Sequence, residues 1–155
     1  MKTIIAPVDF SAITSEVIRA ACSLAKATRS RLVLLHVVQI PIVIEPYGIA
    51  NEAMVEALSG SEKFAARQLQ QLAKHCSRRV KTVKTIQYTG QAVPVIIAKQ
   101  MELKAQFIVI GSHGHGAVYD ALIGSVAQGV LRRARCPVLV VPGKRDATGD
   151  QARRR

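Results

Sequence analysis

"FIVIGSHGHGAVYDALIGS", Phe107 to Ser125, runs from a continuously apolar stretch through four glycines and two histidines into "VAQGVLRRA", a helical pattern. A short apolar run without alternation suits a strand buried on both faces, and a parallel sheet covered by helices on each side produces that burial. The same succession recurs on either side of it. "TIIAPV" (Thr3–Val8) reads as a first strand that breaks at "DFS". After Ser11, the expected N-cap, Ile13, Val17, Ala20, Ala21 and Leu24 recur at helical spacing. "RLVLLHVV" (Arg31–Val38) is the second strand, and "QIPIVIEPYG", with two prolines and a glycine, is loop. A long helix is expected from Asn51 to Ser77, with Met54, Leu58, Ala65, Leu69, Leu72 and Cys76 on one stripe and Gly60 as a point of interruption.

"VKTVKTIQYT" (Val80–Thr89) alternates as a third strand, and its lysines place it near an edge. "AVPVIIAKQME" is a shorter helix with Pro94 in the first turn, where a missing N–H is tolerated. "QFIVIG" is the fourth strand, and "CPVLVVP" closes the pattern as a fifth bounded by prolines. Between them, "SVAQGVLRRA" has Ser125 and Gln128 at capping-box spacing. The alternation β-α-β-α-β-α-β-α-β implies parallel strands joined by right-handed helical crossovers. The expected fold is a single-domain, three-layer α/β sandwich over residues 1–142, a five-stranded parallel sheet with helices on both faces. The segment 143–155, "GKRDATGDQARRR", lacks apolar periodicity and is expected to be a disordered basic tail.

The 155-residue chain carries a net charge of +12, of which the tail supplies +3 (five basic and two acidic residues). The rest is scattered over helix faces, with a denser group at Arg78, Arg79, Lys81 and Lys84. No helix-turn-helix, aromatic RNA platform or zinc finger accompanies it, so a solvated basic surface is expected rather than specific nucleic-acid binding. Cys22, Cys76 and Cys136 are odd in number and widely spaced, which fits buried reduced thiols rather than a disulfide framework or zinc cluster. "MKTIIAPVDF" has no signal-peptide core, because Pro7 and Asp9 interrupt it. The longest apolar stretch, "LVLLHVVQIPIVI", is 13 residues and includes His36, Gln39 and Pro41, whereas a bilayer span needs about 20. A soluble cytoplasmic protein with no membrane partner is expected.

In open parallel sheets, ligands bind beyond the strand C-termini where strand order reverses. With order 3-2-1-4-5, that reversal brings "PVDFS" and "VIGSHGHG" to one crevice. Glycines allow backbone N–H groups to approach a phosphate, and the helix after Ser125 offers an electropositive N-terminus. Ser125 could donate its hydroxyl to phosphate or cap the helix, and both roles stay open. A Walker A loop fails because Ala117 and Val118 stand where Lys and Ser or Thr are required. The dinucleotide pattern GxGxxG fails because Tyr119 occupies its third glycine. The pair His113 and His115 lies on a glycine-rich loop with no paired carboxylate or cysteine nearby in sequence, so no metal held by protein alone is expected.

The spacing Gly111-x2-Gly114-x9-Gly124-Ser125 resembles the nucleotide-binding signature of the universal stress protein family, G-x2-G-x9-G-[ST]. "IIAPVDFS", "RLVLLHVV" and "GSVAQGVLRRARCPVLVV" resemble family segments in the same order, so the resemblance covers Met1 to Pro142. It implies strand order 3-2-1-4-5 and a homodimeric stress-response regulator that binds ATP or AMP, with magnesium accompanying ATP. Asp9 is implied to hold ribose or adenine, and the backbone of Val37 the adenine edge. Gly111, Gly114, His115, Gly124, Ser125 and Val126 are implied around the phosphates, with Pro7, Val8 and Ile110 completing the nucleotide set. The family often carries Arg where this chain has His113 and His115, and neutral imidazole offers one donor in place of a permanent cation. The apolar last strand, Val138, Leu139, Val140 and Val141, is the implied dimer interface, consistent with an edge that needs covering. No nucleophile stands beside a positioned base, so a sensor with an unknown downstream protein partner is expected. The alternatives are a slow ATPase or autophosphorylating enzyme and a nucleotide-free dimeric scaffold.

Overall fold

The computed structural model describes residues 1–39, 52–114 and 123–143. Five strands and four helices alternate: β1 (Thr3–Pro7), α1 (Thr14–Ala27), β2 (Arg31–Val38), α2 (Glu52–Cys76), β3 (Val83–Thr89), α3 (Ala92–Glu102), β4 (Phe107–Gly111), α4 (Ser125–Arg133) and β5 (Val138–Val141). All pairings are parallel, and the order is β3-β2-β1-β4-β5. Strand parity divides the interior into two clusters. Ile4, Ala6, Leu32, Leu34 and Val109 face α1 and α2, while Ile5, Val33, Leu35, Ile108 and Ile110 face α3 and α4. Ile4, Ile5, Leu32 and Leu34 are fully buried, each contributing about 1.5–3 kcal/mol over exposure. This is the three-layer sandwich that the apolar runs predict.

Several boundaries move for local reasons. β1 ends at Pro7 rather than Val8, and β3 begins at Val83 rather than Val80, whose N–H instead closes the end of α2 on the Cys76 carbonyl. Ser11 is not the N-cap of α1. That position is Ile13, without a side-chain cap, because the Ser11 N–H and hydroxyl both turn back to Asp9 Oδ1, at 3.1 and 2.6 Å. α2 runs through Gly60 without interruption; a Cβ there would meet nothing within 4 Å, so the glycine sits over open space. The capping box at Ser125 does not form either. Gly124 is the N-cap of α4, its carbonyl accepts from the Gln128 N–H at 2.9 Å, and Ser125 becomes the first helical residue. The expected loop from residue 40 to 48 and the tail from 144 onward lie outside the described residues.

The sheet opens where the order reverses. β1 pairs with β2 over five residues, from Thr3↔Arg31 to Pro7↔Leu35, but with β4 only at Ile4↔Phe107 and Ile5↔Ile108. Beyond Ile5 the two central strands separate at their C-terminal ends, and the site lies in that gap.

Candidate functional site

A cavity of about 440 Å³ occupies the gap. The end of β1 contributes Pro7, Val8 and Asp9, β2 contributes Val37, and β4 contributes Ile110 and Gly111. The glycine loop supplies Gly114 and Gly124, and the start of α4 supplies Ser125 and Val126. Every described residue of the expected set therefore lines one cavity; His115 lies outside the described residues. His113, singled out in sequence as standing where the family often carries Arg, lines the cavity too, but sequence reasoning missed the α1 contribution, Ile13, Thr14 and Val17, together with Leu35, Gln39, Ala92, Ile96, Ser112 and Ala127. Strand parity could have found Leu35, which shares a face with Val37. Nothing local marks Thr14.

Backbone hydrogen bonds hold the described ends of the loop. Ser112 N–H donates to the Val141 carbonyl and Gly124 N–H to the Ser112 carbonyl, both at 2.7 Å, so the two ends of the loop are tied side by side. A Cβ at Gly124 would lie 3.3 Å from the Ser112 carbonyl, and one at Gly111 would lie 2.9 Å from Ile13 Cγ2. Gly114 is the tightest, since its Cβ would fall 2.3 Å from Asp9 Oδ2. The Asp9 carboxylate, just past the end of β1, thus reaches across the gap to the loop after β4.

Polar groups in the cavity are short of partners. Among the described residues three buried side-chain atoms have no hydrogen-bond partner, and two of them, Thr14 Oγ1 and His113 Nε2, belong to residues lining this cavity. His113 is fixed at its other nitrogen, where Nδ1 and Ser112 Oγ lie 2.8 Å apart. Leaving such an atom unsatisfied costs about 1–3 kcal/mol. α1 and α4 both begin at the cavity without a side-chain cap, so their first backbone N–H groups give its wall positive character. The arrangement suits an oxygen-rich anionic ligand with an apolar portion lying between Val37, Ile96 and Ile110.

Comparison with known proteins gives the family and the fold. The sequence profile of the Universal stress protein family matches residues 1–142. The chain belongs to the universal stress protein family. A universal stress protein from Synechocystis is 32% identical over 141 residues, covering 91% of this chain and 85% of that protein. The fold of the universal stress protein UspA from Lactobacillus plantarum superposes with a TM-score of 0.82 at 22% identity, covering 90% of this chain and 97% of that one. A universal stress protein from Archaeoglobus fulgidus, solved in complex with dAMP, matches with a TM-score of 0.63 at 19% identity, covering 91% of this chain and 98% of that one. In this universal stress protein, as described, no helix is long and apolar enough to cross a membrane.

Proposed function

We propose that this universal stress protein binds an adenine nucleotide, ATP or AMP, in the 440 Å³ cavity and acts as a sensor or regulator in a stress response. The observation that carries the reading is the pair of partnerless buried atoms, Thr14 Oγ1 and His113 Nε2, in residues that line the same cavity as the uncapped start of α4. A phosphate would relieve His113 Nε2 and accept from the α4 N-terminus and from the Ser125 hydroxyl, which no capping role occupies. Gly111, Gly114 and Gly124 would keep the approach free of Cβ atoms, and Asp9 would accept from the nucleoside. Val37, Ile96 and Ile110 would pack the base. The fold neighbour solved with dAMP supports the choice of adenine.

Among the described residues no group of three or more His, Cys, Asp or Glu could hold a metal ion. Magnesium accompanying ATP would be held mainly through phosphate oxygens and water. β5 is an edge strand with Leu139 42% exposed. Pairing with the same strand of a second copy would cover it and give a homodimer.

The test is thermal unfolding with magnesium ATP, AMP or GTP, with Gly124→Val as control, because valine branches there would press on the Ser112 carbonyl. Ligand at about 100 times Kd adds about 2.7 kcal/mol, a rise of roughly 5–10 °C for a domain of this size. A rise with ATP or AMP that is small with GTP and lost in Gly124→Val is the expected result. No rise with any nucleotide, in protein shown to be nucleotide-free, would overturn the reading.

A further inference from the structure

We propose that His36 is a positioning residue for Asp9, acting from the opposite face of the sheet through Val8 and Phe10. Leu35 and Val37 line the cavity, so alternation turns His36, which lies between them, toward the α1 and α2 layer. There its Nδ1 meets the Val8 carbonyl at 2.7 Å. β1 has ended at Pro7, and Val8 keeps one backbone tie to β2, its N–H donating to the Leu35 carbonyl at 2.9 Å. The His36 side chain therefore holds the last carbonyl before Asp9.

Its ring also stacks on Phe10, with centroids 4.3 Å apart and planes 29° from parallel, and Phe64 of α2 packs edge-on to Phe10 at 6.2 Å. Phe10 has φ of 61°, a left-handed backbone that a bulky residue rarely adopts. Such a conformation persists only where its surroundings hold it. Here the histidine ring, the Phe64 edge and the Ser11–Asp9 hydrogen bonds do so. That reversal at Phe10 lets Asp9 extend to Gly114 while the chain turns into α1. Burial holds the His36 imidazole below its ordinary range, against the opposing influence of the Val8 carbonyl and of Asp9. The ring is thus neutral near pH 7, and since a carbonyl only accepts, the proton is assigned to Nδ1. Asn can present an amide N–H near the Nδ1 position without the ring, whereas Phe keeps the ring without the donor.

The inference rests on the reading of Asp9 as a nucleoside anchor, and its test uses two readouts on the full chain. Isothermal titration with magnesium ATP gives affinity, and amide NMR of the ligand-free protein reports the Ser11 N–H that donates to Asp9 Oδ1. His36→Phe is expected to weaken ATP binding about tenfold, the scale of one net hydrogen bond. In the same variant the Ser11 amide should move toward its position in Asp9→Ala. His36→Asn is expected to restore most of both. Unchanged affinity and an unchanged Ser11 amide in His36→Phe would overturn the inference. So would losses in His36→Asn and His36→Phe that simply track their unfolding temperatures. If the wild-type protein binds no nucleotide, the nucleotide reading fails, and the Ser11 amide alone decides whether His36 positions Asp9.

Discussion

Replacing Gly114 by alanine should sever binding from stability. An ideal Cβ at Gly114 lies 2.3 Å from Asp9 Oδ2, and Cβ contacts under 3.0 Å essentially do not occur, so the carboxylate must retreat by about 0.7 Å. The neighbour that gives way is the tip of a flexible side chain, and the Gly114 backbone is not in the left-handed region. Alanine also restricts the unfolded chain, an effect of about 0.4–1 kcal/mol in favour of the native state where the backbone is compatible. Stability should therefore change by less than about 1 kcal/mol. Binding should change far more. A hydrogen bond to a charged group contributes about 1.5–3 kcal/mol, so a displaced Asp9 should raise the Kd for magnesium ATP by about 10- to 150-fold.

The assay is isothermal titration of wild type, Gly114→Ala, Asp9→Ala and the double variant, with unfolding temperatures measured alongside. If alanine acts by moving Asp9, it should have little further effect once the carboxylate is gone, leaving a coupling energy close to the whole single-variant loss. Wild-type affinity in Gly114→Ala would refute the argument. A loss of equal size in the Asp9→Ala background would show instead that alanine obstructs the phosphates directly.

Burial depresses the His36 pKa below 6.5 in the folded state, so the unfolded chain binds more protons just below that value and stability should fall as pH drops from 6.5 toward the folded pKa. His36→Phe should flatten this part of a denaturation series, and an unchanged slope would assign it elsewhere. Burial, reinforced by a hydrogen bond that the Cys76 S–H donates to Cys22, pushes the Cys76 thiol up to about 12. A thiol reagent on native protein at neutral pH should therefore modify the partly exposed Cys136 first and reach Cys22 and Cys76 only on unfolding. The dimer proposed through β5 should be lost in Leu139→Asp, a monomer in analytical ultracentrifugation with the fold intact by circular dichroism, since Leu139 is 42% exposed in the single chain. A wild type that sediments as a monomer would refute the proposed pairing.

How far the residues themselves disclosed this protein depends on the range of the forces involved. Strands and helices were legible because burial on two faces writes continuous apolar runs such as Phe107–Ile110, and burial on one face writes the stripe Val17, Ala21 and Leu24. The glycine loop was legible because close backbone approach excludes side chains wherever it occurs. The start of α1 was misread because a nearby polar group competed for the capping side chain. Ser11 hydrogen-bonds Asp9, so α1 begins only at Thr14, whereas Gly124, whose N–H donates to the Ser112 carbonyl, takes the N-cap of α4 and leaves Ser125 as its first helical residue. Gly60 misled for the opposite reason: its propensity cost of about 1 kcal/mol is local, and the packing that carries α2 past it is not.

The part of the site that stayed hidden is the part made by long-range contact. His36 reads in sequence as a core histidine remote from the loop, and it touches Val8, 28 residues away, only because β2 lies beside β1. Thr14 becomes part of the cavity only because α1 crosses toward β4, where Ile13 meets Gly111. The backbone frame of the site is therefore fixed by the strand order and by the early parting of β1 from β4 after Ile5. The side chains that aim Asp9 into it come from the opposite layer. Substitutions at Phe10 or His36 should accordingly alter ligand affinity without touching the cavity wall they leave behind, which distinguishes this arrangement from a site built on the glycine loop alone.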